Sequence, residues 1–148
     1  AYDIMRAVCL GITNKDLEKI PIGVQDQIFG LKDADGDMVP DSLEEAVGFN
    51  INTADTDADG FNDKVEIMNG YRPDMQRRYS YDQALVKRVK GRILLQVKGS
   101  GEAWYVNPSD GHRYYLGNPE SSFNIMRFLS LGVTNTDLHK INVGEYEE

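Results

Sequence analysis

In the C-terminal half of the chain, apolar and polar positions alternate over short segments bounded by turn residues. The first segment, 92–98, is rich in apolar and β-branched residues, and the Gly-Ser-Gly sequence at 99–101 follows it. Two more segments, 103–107 and 112–116, are separated by the turn sequence Pro-Ser-Asp-Gly at 108–111. Short alternating runs separated by such turns are typical of hairpins. The pattern predicts a small three-stranded antiparallel meander near the C-terminus.

Helical periodicity dominates the two ends of the chain, which are copies of one another. The segment at 2–23, YDIMRAVCLGITNKDLEKIPIG, recurs at 123–144 as FNIMRFLSLGVTNTDLHKINVG, with a constant offset of 121 residues and 12 of 22 positions identical. Each copy predicts an amphipathic helix that ends at a glycine, Gly11 or Gly132. A threonine two residues later, with an aspartate three positions beyond it, predicts the N-cap of a second short helix. An internal duplication therefore places a helical pair at each end of the chain.

Three more short helices are expected between the two copies. Residues 80–83, Ser-Tyr-Asp-Gln, form a capping-box pattern that opens a basic helix. The stretches 42–47 and 64–69 are each followed by a glycine, Gly48 and Gly70, at the same 22-residue step. Together with the meander, these helices predict an α+β fold in which small helical units flank a tandem loop segment.

That loop segment contains two acidic stretches, DADGDMVPDSLE at 33–44 and DTDADGFNDKVE at 55–66. Written as twelve-residue loops, both have carboxylates at positions 1, 3, 5, 9 and 12 and offer a backbone carbonyl at position 7. The candidate metal ligands are Asp33, Asp35, Asp37, Val39, Asp41 and Glu44 in the first loop, and Asp55, Asp57, Asp59, Phe61, Asp63 and Glu66 in the second. Calcium takes six to eight oxygen ligands, and loops without Cys or His are poor sites for zinc and copper. The spacing predicts two calcium ions, against the alternative of a solvated acidic linker.

The two stretches resemble EF-hand-type loops in the tandem form of thrombospondin type 3 repeats and dockerins, where short loop–helix units replace full helix–loop–helix hands. The resemblance covers residues 33–73. Gly60 occupies position 6 of the second loop, where the turn needs a positive φ. The first loop departs from the pattern, since Gly36 lies at position 4 and Met38 at position 6, which indicates a strained turn or a weaker site. The resemblance implies extracellular, calcium-stabilised structure without catalysis.

The net charge of −8 is a local property of the loop segment. Residues 33–66 contain eleven acidic residues and one basic residue, Lys64, so they carry −10 and the rest of the chain carries +2. No basic face is evident, which disfavours nucleic acid as a partner. No stretch reaches the roughly 18 apolar residues of a membrane span. The single cysteine, Cys9, excludes an intrachain disulfide, so calcium is the expected stabiliser of the loops.

Three segments follow from these patterns. They are a helical pair with a connector at 1–32, the tandem calcium loops at 33–73, and a helix, the meander and the second helical pair at 74–148. The second copy follows a meander, whereas the first copy has none ahead of it, so its apolar face needs another cover. Three explanations stay open at this point. The chain is a piece of a tandem array, or the first copy packs on its own sheet or against the second copy, or it completes a module of a neighbouring chain.

The expected function is structural. No motif brings together a nucleophile, a base and an orienting group, so we expect no enzyme. Residues 92–144 resemble a module of uncharacterised exported bacterial surface proteins. With the loops, this implies a calcium-stabilised structural or adhesive module, extracellular or at the cell surface, whose self-association could include head-to-tail filaments.

An alternative rests on the aromatic hairpin, which resembles those of bacterial cell-wall and glucan-binding repeats. It predicts a module that binds the cell wall or a carbohydrate through Trp104, Tyr105, Tyr114 or Tyr115. A calcium sensor is disfavoured, because the five methionines are scattered rather than grouped around a groove.

Overall fold

The computed structural model describes residues 9–24, 31–73, 75–97, 101–129 and 134–142. Within these residues it has six helices, a four-stranded sheet and a two-stranded sheet, which confirms the α+β class. The strands are β1 (Leu10–Ile12), β2 (Tyr71–Arg72), β3 (Met75–Arg78), β4 (Ile93–Gln96), β5 (Ala103–Val106) and β6 (Arg113–Tyr115). The helices are α1 (Asn14–Leu17), α2 (Asp41–Val47), α3 (Asp63–Asn69), α4 (Gln83–Val89), α5 (Pro119–Leu129) and α6 (Asn135–Leu138). In this described part of the chain, no helix has the length and apolar character needed to cross a membrane.

The larger sheet has the strand order β1-β4-β5-β6. Strands β4, β5 and β6 form the predicted antiparallel meander, in which Trp104 lies opposite Leu94 on one side and Tyr115 on the other. Strand β1 joins the edge of β4 in parallel, with Gly11 opposite Leu95. The smaller sheet pairs β2 with β3 ahead of α4. A strand from the first copy therefore covers one edge of the meander.

Strand β1 stands where the sequence pattern predicts the end of a helix at Gly11. That prediction was wrong for residues 10–12, which are extended and pair with β4. The open edge of β4 offers backbone partners to an extended neighbour, and pairing there buries Ile12. A partner strand so far along the chain leaves no trace in local periodicity. Residues 1–8 of the predicted helix, and Gly132, lie outside the described residues.

The second short helix of each copy is confirmed, together with its cap. In α1 the hydroxyl of Thr13 accepts from the N–H of Asp16 at 3.2 Å and donates to the carboxylate of Asp16 at 3.0 Å. In α6 Thr134 and Asp137 make the same two bonds, at 3.1 and 2.8 Å. Because the cap is local, it forms in both copies whatever packs around them.

Glycines end the two helices that follow the acidic loops, as predicted. Gly48 has φ of 92° and Gly70 has φ of 76°, left-handed values that glycine adopts without strain. Helix α4 is present, but its cap is Asp82 rather than Ser80. The carboxylate of Asp82 accepts from the N–H groups of both Ala84 and Leu85, at 2.9 and 3.0 Å.

The hydrophobic core joins the larger sheet and α4 to the first copy and the helices of the loop segment. Its buried side chains come from all three predicted segments: Ile12, Leu17, Ile20, Ile22, Val39, Leu43, Phe49, Ile67, Leu85, Val86, Val89, Leu94, Trp104 and Val106. Burying a side chain of this size contributes about 1.5–3 kcal/mol before the cost of ordering the chain. The acidic loops are thus anchored to the same core as the sheet.

Of the three explanations for the first copy, the structure shows packing on the sheet of its own chain. Leu17 and Ile20 are buried in the core. Their counterparts in the second copy, Leu138 and Ile141, are exposed. The uncovered apolar face expected for the first copy is therefore found on the second.

Candidate metal centre

The two acidic loops have the same backbone path. Each has two residues in the left-handed region, at positions 4 and 6. These are Gly36 (φ 79°) and Met38 (φ 77°) in the first loop, and Ala58 (φ 60°) and Gly60 (φ 98°) in the second. The strained turn expected at Met38 is present, and Ala58 bears the equivalent strain in the second loop. Each loop thus has a glycine at only one of its two left-handed positions.

Within each loop, backbone N–H groups point at the carboxylates and hold them in place. In the first loop, the carboxylate of Asp33 accepts from the N–H groups of Gly36 and Met38 at 2.9 and 3.1 Å. In the second, the carboxylate of Asp55 accepts from the N–H of Gly60 at 2.9 Å. The aspartates at positions 3 and 5 each accept a hydrogen bond from the backbone N–H of the residue two positions later. Asp35 accepts from Asp37, Asp37 from Val39, Asp57 from Asp59, and Asp59 from Phe61.

These bonds bring the first three carboxylates of each loop together. Asp33, Asp35 and Asp37 each offer an oxygen, and the three oxygens lie within 4.8 Å of one another; Asp55, Asp57 and Asp59 do the same. Two oxygens on opposite sides of a calcium ion lie about 5 Å apart, so this spacing suits a divalent ion. Each of the two aspartate triads could hold a metal ion.

The helices that follow the triads each carry one buried glutamate. Glu44 on α2 is 0% exposed and Glu66 on α3 is 4% exposed. Neither oxygen of Glu44 has a hydrogen-bond partner in the described part of the chain, and the same holds for Oε2 of Glu66, Oδ2 of Asp35 and Oδ1 of Asp55. A buried carboxylate without a partner is costly, because it has lost its water and gained nothing in return. A bound cation could pair with these oxygens.

The electrostatics of the glutamates lead to the same conclusion. Burial, followed by the charges of Asp35 and Asp37, raises the pKa of Glu44 to about 8. Burial, followed by the charges of Asp57 and Asp59, raises the pKa of Glu66 to about 7. Each glutamate therefore interacts with the triad of its own loop. Without a cation, these groups tend to retain a proton near neutral pH.

The aspartates at position 9 serve a different purpose in this structure. Asp41 accepts from the N–H of Ala34 at 2.7 Å and from the ammonium group of Lys32 at 2.6 Å. Asp63 accepts from the N–H and the hydroxyl of Thr56, at 2.8 and 2.7 Å. Both carboxylates thus tie the start of the loop to the helix behind it. The structure does not bring them into the triads. Their ligand role stays a prediction, as does that of the carbonyls of Val39 and Phe61.

One contact that the sequence did not indicate couples the two loops. A carboxylate oxygen of Asp37, in the first loop, accepts from the N–H of Lys64 at 3.1 Å, in the first turn of α3. The charge of Asp63 also raises the pKa of both Asp37 and Glu44, after the larger effect of their burial. The two sites therefore form one electrostatic unit, which their separate motifs could not reveal.

The aromatic hairpin places its tryptophan in the core. Trp104 is 1% exposed, with its ring 4.9 Å from that of Tyr115 and under the guanidinium of Arg113 at 4.6 Å. Tyr105 and Tyr114 are half-buried. Trp104 therefore has no exposed ring face for a sugar. Arg113 is itself buried. Its position could not be inferred from the sequence, because a single arginine in a strand carries no distinctive signal.

Known proteins add no further constraint to this geometry. Comparison with models of protein families, with curated proteins and with solved structures found no match to this chain.

Proposed function

We propose that the two acidic loops bind two calcium ions and that the protein is a calcium-stabilised structural module of an exported bacterial surface protein. The observation that carries the proposal is Glu44, a buried carboxylate whose two oxygens have no partner among the described residues and whose charge faces a triad of aspartates. A divalent cation bound between the triad and Glu44 would satisfy both.

The choice of calcium follows from the donor set. Every candidate ligand is an oxygen, and each loop combines three aspartates with a glutamate that can bind through both of its oxygens. Magnesium demands a near-ideal octahedron and keeps several waters, so a long flexible loop suits it less. Two calcium ions would take the loop segment from −10 to about −6. The resemblance to tandem EF-hand-like loops of thrombospondin type 3 repeats supports the same choice.

A structural role follows from where the loops are anchored. Leu43 at the end of the first loop, Phe49 after it, and Ile67 after the second loop are buried in the core that also contains the sheet. Metal binding at the loops would therefore hold in place the segment that connects the first copy to α4. In the metal-free state, repulsion among clustered carboxylates would loosen this segment, because metal affinity of this kind is coupled to folding.

Thermal melts followed by circular dichroism, with calcium or with a chelator, test the proposal. We expect calcium to raise the melting temperature, with a stabilisation of about 4 kcal/mol for each site at a thousandfold excess over its Kd. Titration calorimetry should give two bound calcium ions, with magnesium binding far more weakly. Identical melting curves with calcium and with chelator would rule out the proposal.

We also propose that the module works beside other units of the same protein, as an adhesive or spacing element. The apolar residues that α5 and α6 expose, among them Phe123, Phe128 and Leu138, support a contact surface at that end. Mass photometry over a range of protein concentrations, with calcium and then with chelator, tests for self-association. A monomer under every condition would count against self-association without affecting the calcium sites.

A further inference from the structure

The two copies of the duplicated segment differ in exposure at matching apolar positions. Leu17 and Ile20 are 4% and 0% exposed, whereas Leu138 and Ile141, exactly 121 residues later, are 51% and 61% exposed. The residues are identical in type, so the difference lies in what covers them. The surface that covers the first copy is therefore one that the second copy is also able to fit.

Besides its buried apolar side chains, the first copy is held on the sheet by hydrogen bonds to its backbone, three of them with Arg113. The guanidinium of Arg113 donates to the carbonyl of Leu17 at 2.6 Å, and its backbone N–H donates to the carbonyl of Pro21 at 2.8 Å. The N–H of Gly23 donates to the carbonyl of Arg113 at 2.9 Å. Backbone contacts of this kind do not depend on side-chain identity, so a second segment of the same shape can make them.

Two more contacts hold the ends of α1. The N–H of Asp82 donates to the carbonyl of Lys19 at 2.9 Å, and the side chain of Gln96 donates to that of Asn14 at 3.0 Å. The second copy keeps the latter acceptor as Asn135. The ion pair between Arg72 and Glu18 is the exception, because position 139 is histidine.

At both ends of its short helix, the second copy has nearly the same backbone angles as the docked first copy. The cap residues Thr13 and Thr134 have φ, ψ of −78°, 154° and −74°, 155°. At the other end of each helix, Glu18 and His139 have φ, ψ of −61°, −19° and −66°, −14°. A segment that holds its bound shape before binding loses little conformational entropy when it docks.

A glycine adds an independent observation. A Cβ at Gly23 would lie 2.3 Å from the ring of Tyr114, so any other residue at this position would force that ring to move when the first copy lies on the sheet. The sequence has glycine again at the matching position, 144. The second copy thus has the small residue that docking against such a tyrosine favours.

We propose that residues 134–142 are a docking segment for the sheet of a second unit built like this one, with strands β4–β6, helix α4 and an arginine in the place of Arg113. The sheet of this chain is already covered by its own first copy. The receiving sheet therefore belongs to a unit that has the second copy, in place of the first copy, as its N-terminal segment. The exchange of Glu18 for His139 removes one surface ion pair, which changes affinity by no more than about fivefold.

This inference rests on the proposed structural role, since it names the surface through which such units contact each other. A tandem chain tests it, with residues 1–144 followed directly by residues 24–148. Its first unit has the sequence of the present chain. In its second unit, residues 122–144 are joined directly to residue 24, so they precede the second sheet at the same spacing at which residues 1–23 precede the sheet of the present chain. All measurements are made in saturating calcium, so that a failure of the calcium sites and a failure of docking give separate results.

We expect both units of the tandem to fold. Leu138→Ala in the first part only, at the junction, should lower the melting temperature of the second unit by about 10 °C or more. In the single chain the same change should lower it by no more than about 2 °C, because Leu138 is exposed there. Leu17→Ala provides the matched reference for a docked leucine, and Lys140→Ala is the control for an exposed residue of the same segment. Hydrogen exchange at residues 135–141 of the junction should be slow in the tandem, and exchange at the same residues of the single chain should be fast.

Two results would overturn the inference. One is a second unit that stays unfolded while the first folds, since the tandem supplies everything that the first unit uses apart from the substituted positions of the duplication. The other is a folded second unit in which Leu138→Ala has no more effect than Lys140→Ala.

Discussion

Replacing Glu44 with glutamine should have opposite effects on the protein with and without calcium. Glu44 is fully buried at the first triad, and its two oxygens have no hydrogen-bond partner in the part of the chain that the structure describes. Glutamine has nearly the same shape but no charge. It should therefore relieve repulsion in the metal-free protein and weaken calcium binding in the metal-bound protein.

The size of the stabilisation that Glu44→Gln should give the metal-free protein follows from the raised pKa of Glu44. Burial and the neighbouring aspartates raise the pKa of Glu44 from 4.5 to about 8. Each pKa unit corresponds to about 1.4 kcal/mol, but part of this shift is relieved by protonation near neutral pH, and water in an open loop screens the rest. We expect Glu44→Gln to stabilise the metal-free protein by about 1–2 kcal/mol.

In saturating calcium, Glu44→Gln should lower the stability of the protein instead of raising it. Loss of a carboxylate that binds through two oxygens should weaken binding by about a hundredfold, which removes about 2.7 kcal/mol of calcium-induced stability. The net change is then a destabilisation of about 1 kcal/mol. For a chain of this size, the melting temperature should rise by about 3–6 °C without calcium and fall by about 2–4 °C with it.

The measurement is a pair of melts for the wild-type protein and for Glu44→Gln, in chelator and in saturating calcium. Glu45→Gln is the matched control, because Glu45 is the next residue of α2 but is exposed. It should change neither melt by more than about 1 °C. Should Glu44→Gln shift both melts in the same direction, the assignment of Glu44 to a metal site would be wrong.

Four further predictions concern protons, backbone strain and caps. Calcium binding at pH 7 should release on the order of one proton from Glu44 and Glu66, detected by calorimetry in buffers of different ionisation enthalpy. Because the folded pKa of Glu44 is raised from 4.5 to about 8, the metal-free protein should lose stability as pH rises through this range, and a flat stability profile would contradict this. Ala58→Gly should stabilise the protein by about 0.5–1 kcal/mol in chemical denaturation, because φ at Ala58 is 60°; a loss of stability would refute the strain. Thr13→Ala should destabilise the protein by about 1 kcal/mol, whereas Thr134→Ala, with the same cap on an exposed helix, should leave the global melt unchanged. Equal losses would show that α6 is packed in the free chain.

Local features of the fold could be predicted from the sequence because their causes lie within a few residues. The cap at Thr13 depends on Asp16, three positions away, and the helix end at Gly48 depends on glycine's freedom in the left-handed region. The same is true of the aspartate triads, which are placed by bonds between residues two to five apart.

The candidate site was only partly predictable. The alternation of aspartates indicated the triads, but the use of Asp41 and Asp63 to close the loops could not be distinguished from a ligand role by spacing alone. The link between Asp37 and Lys64 required the two loops to be packed together. The burial of Glu44 also depends on the core beneath α2.

The sequence by itself determined the acidic loops, the helix ends, the meander and the duplication, because each is written in spacings along the chain. Only the tertiary structure decided that β1 pairs with β4, that Trp104 is covered by Arg113, and that the first copy rather than the second lies on the sheet. The reason is physical. Similar sequences such as those around Leu17 and Leu138 carry the same local preferences, and what buries one and exposes the other is the presence of a partner surface.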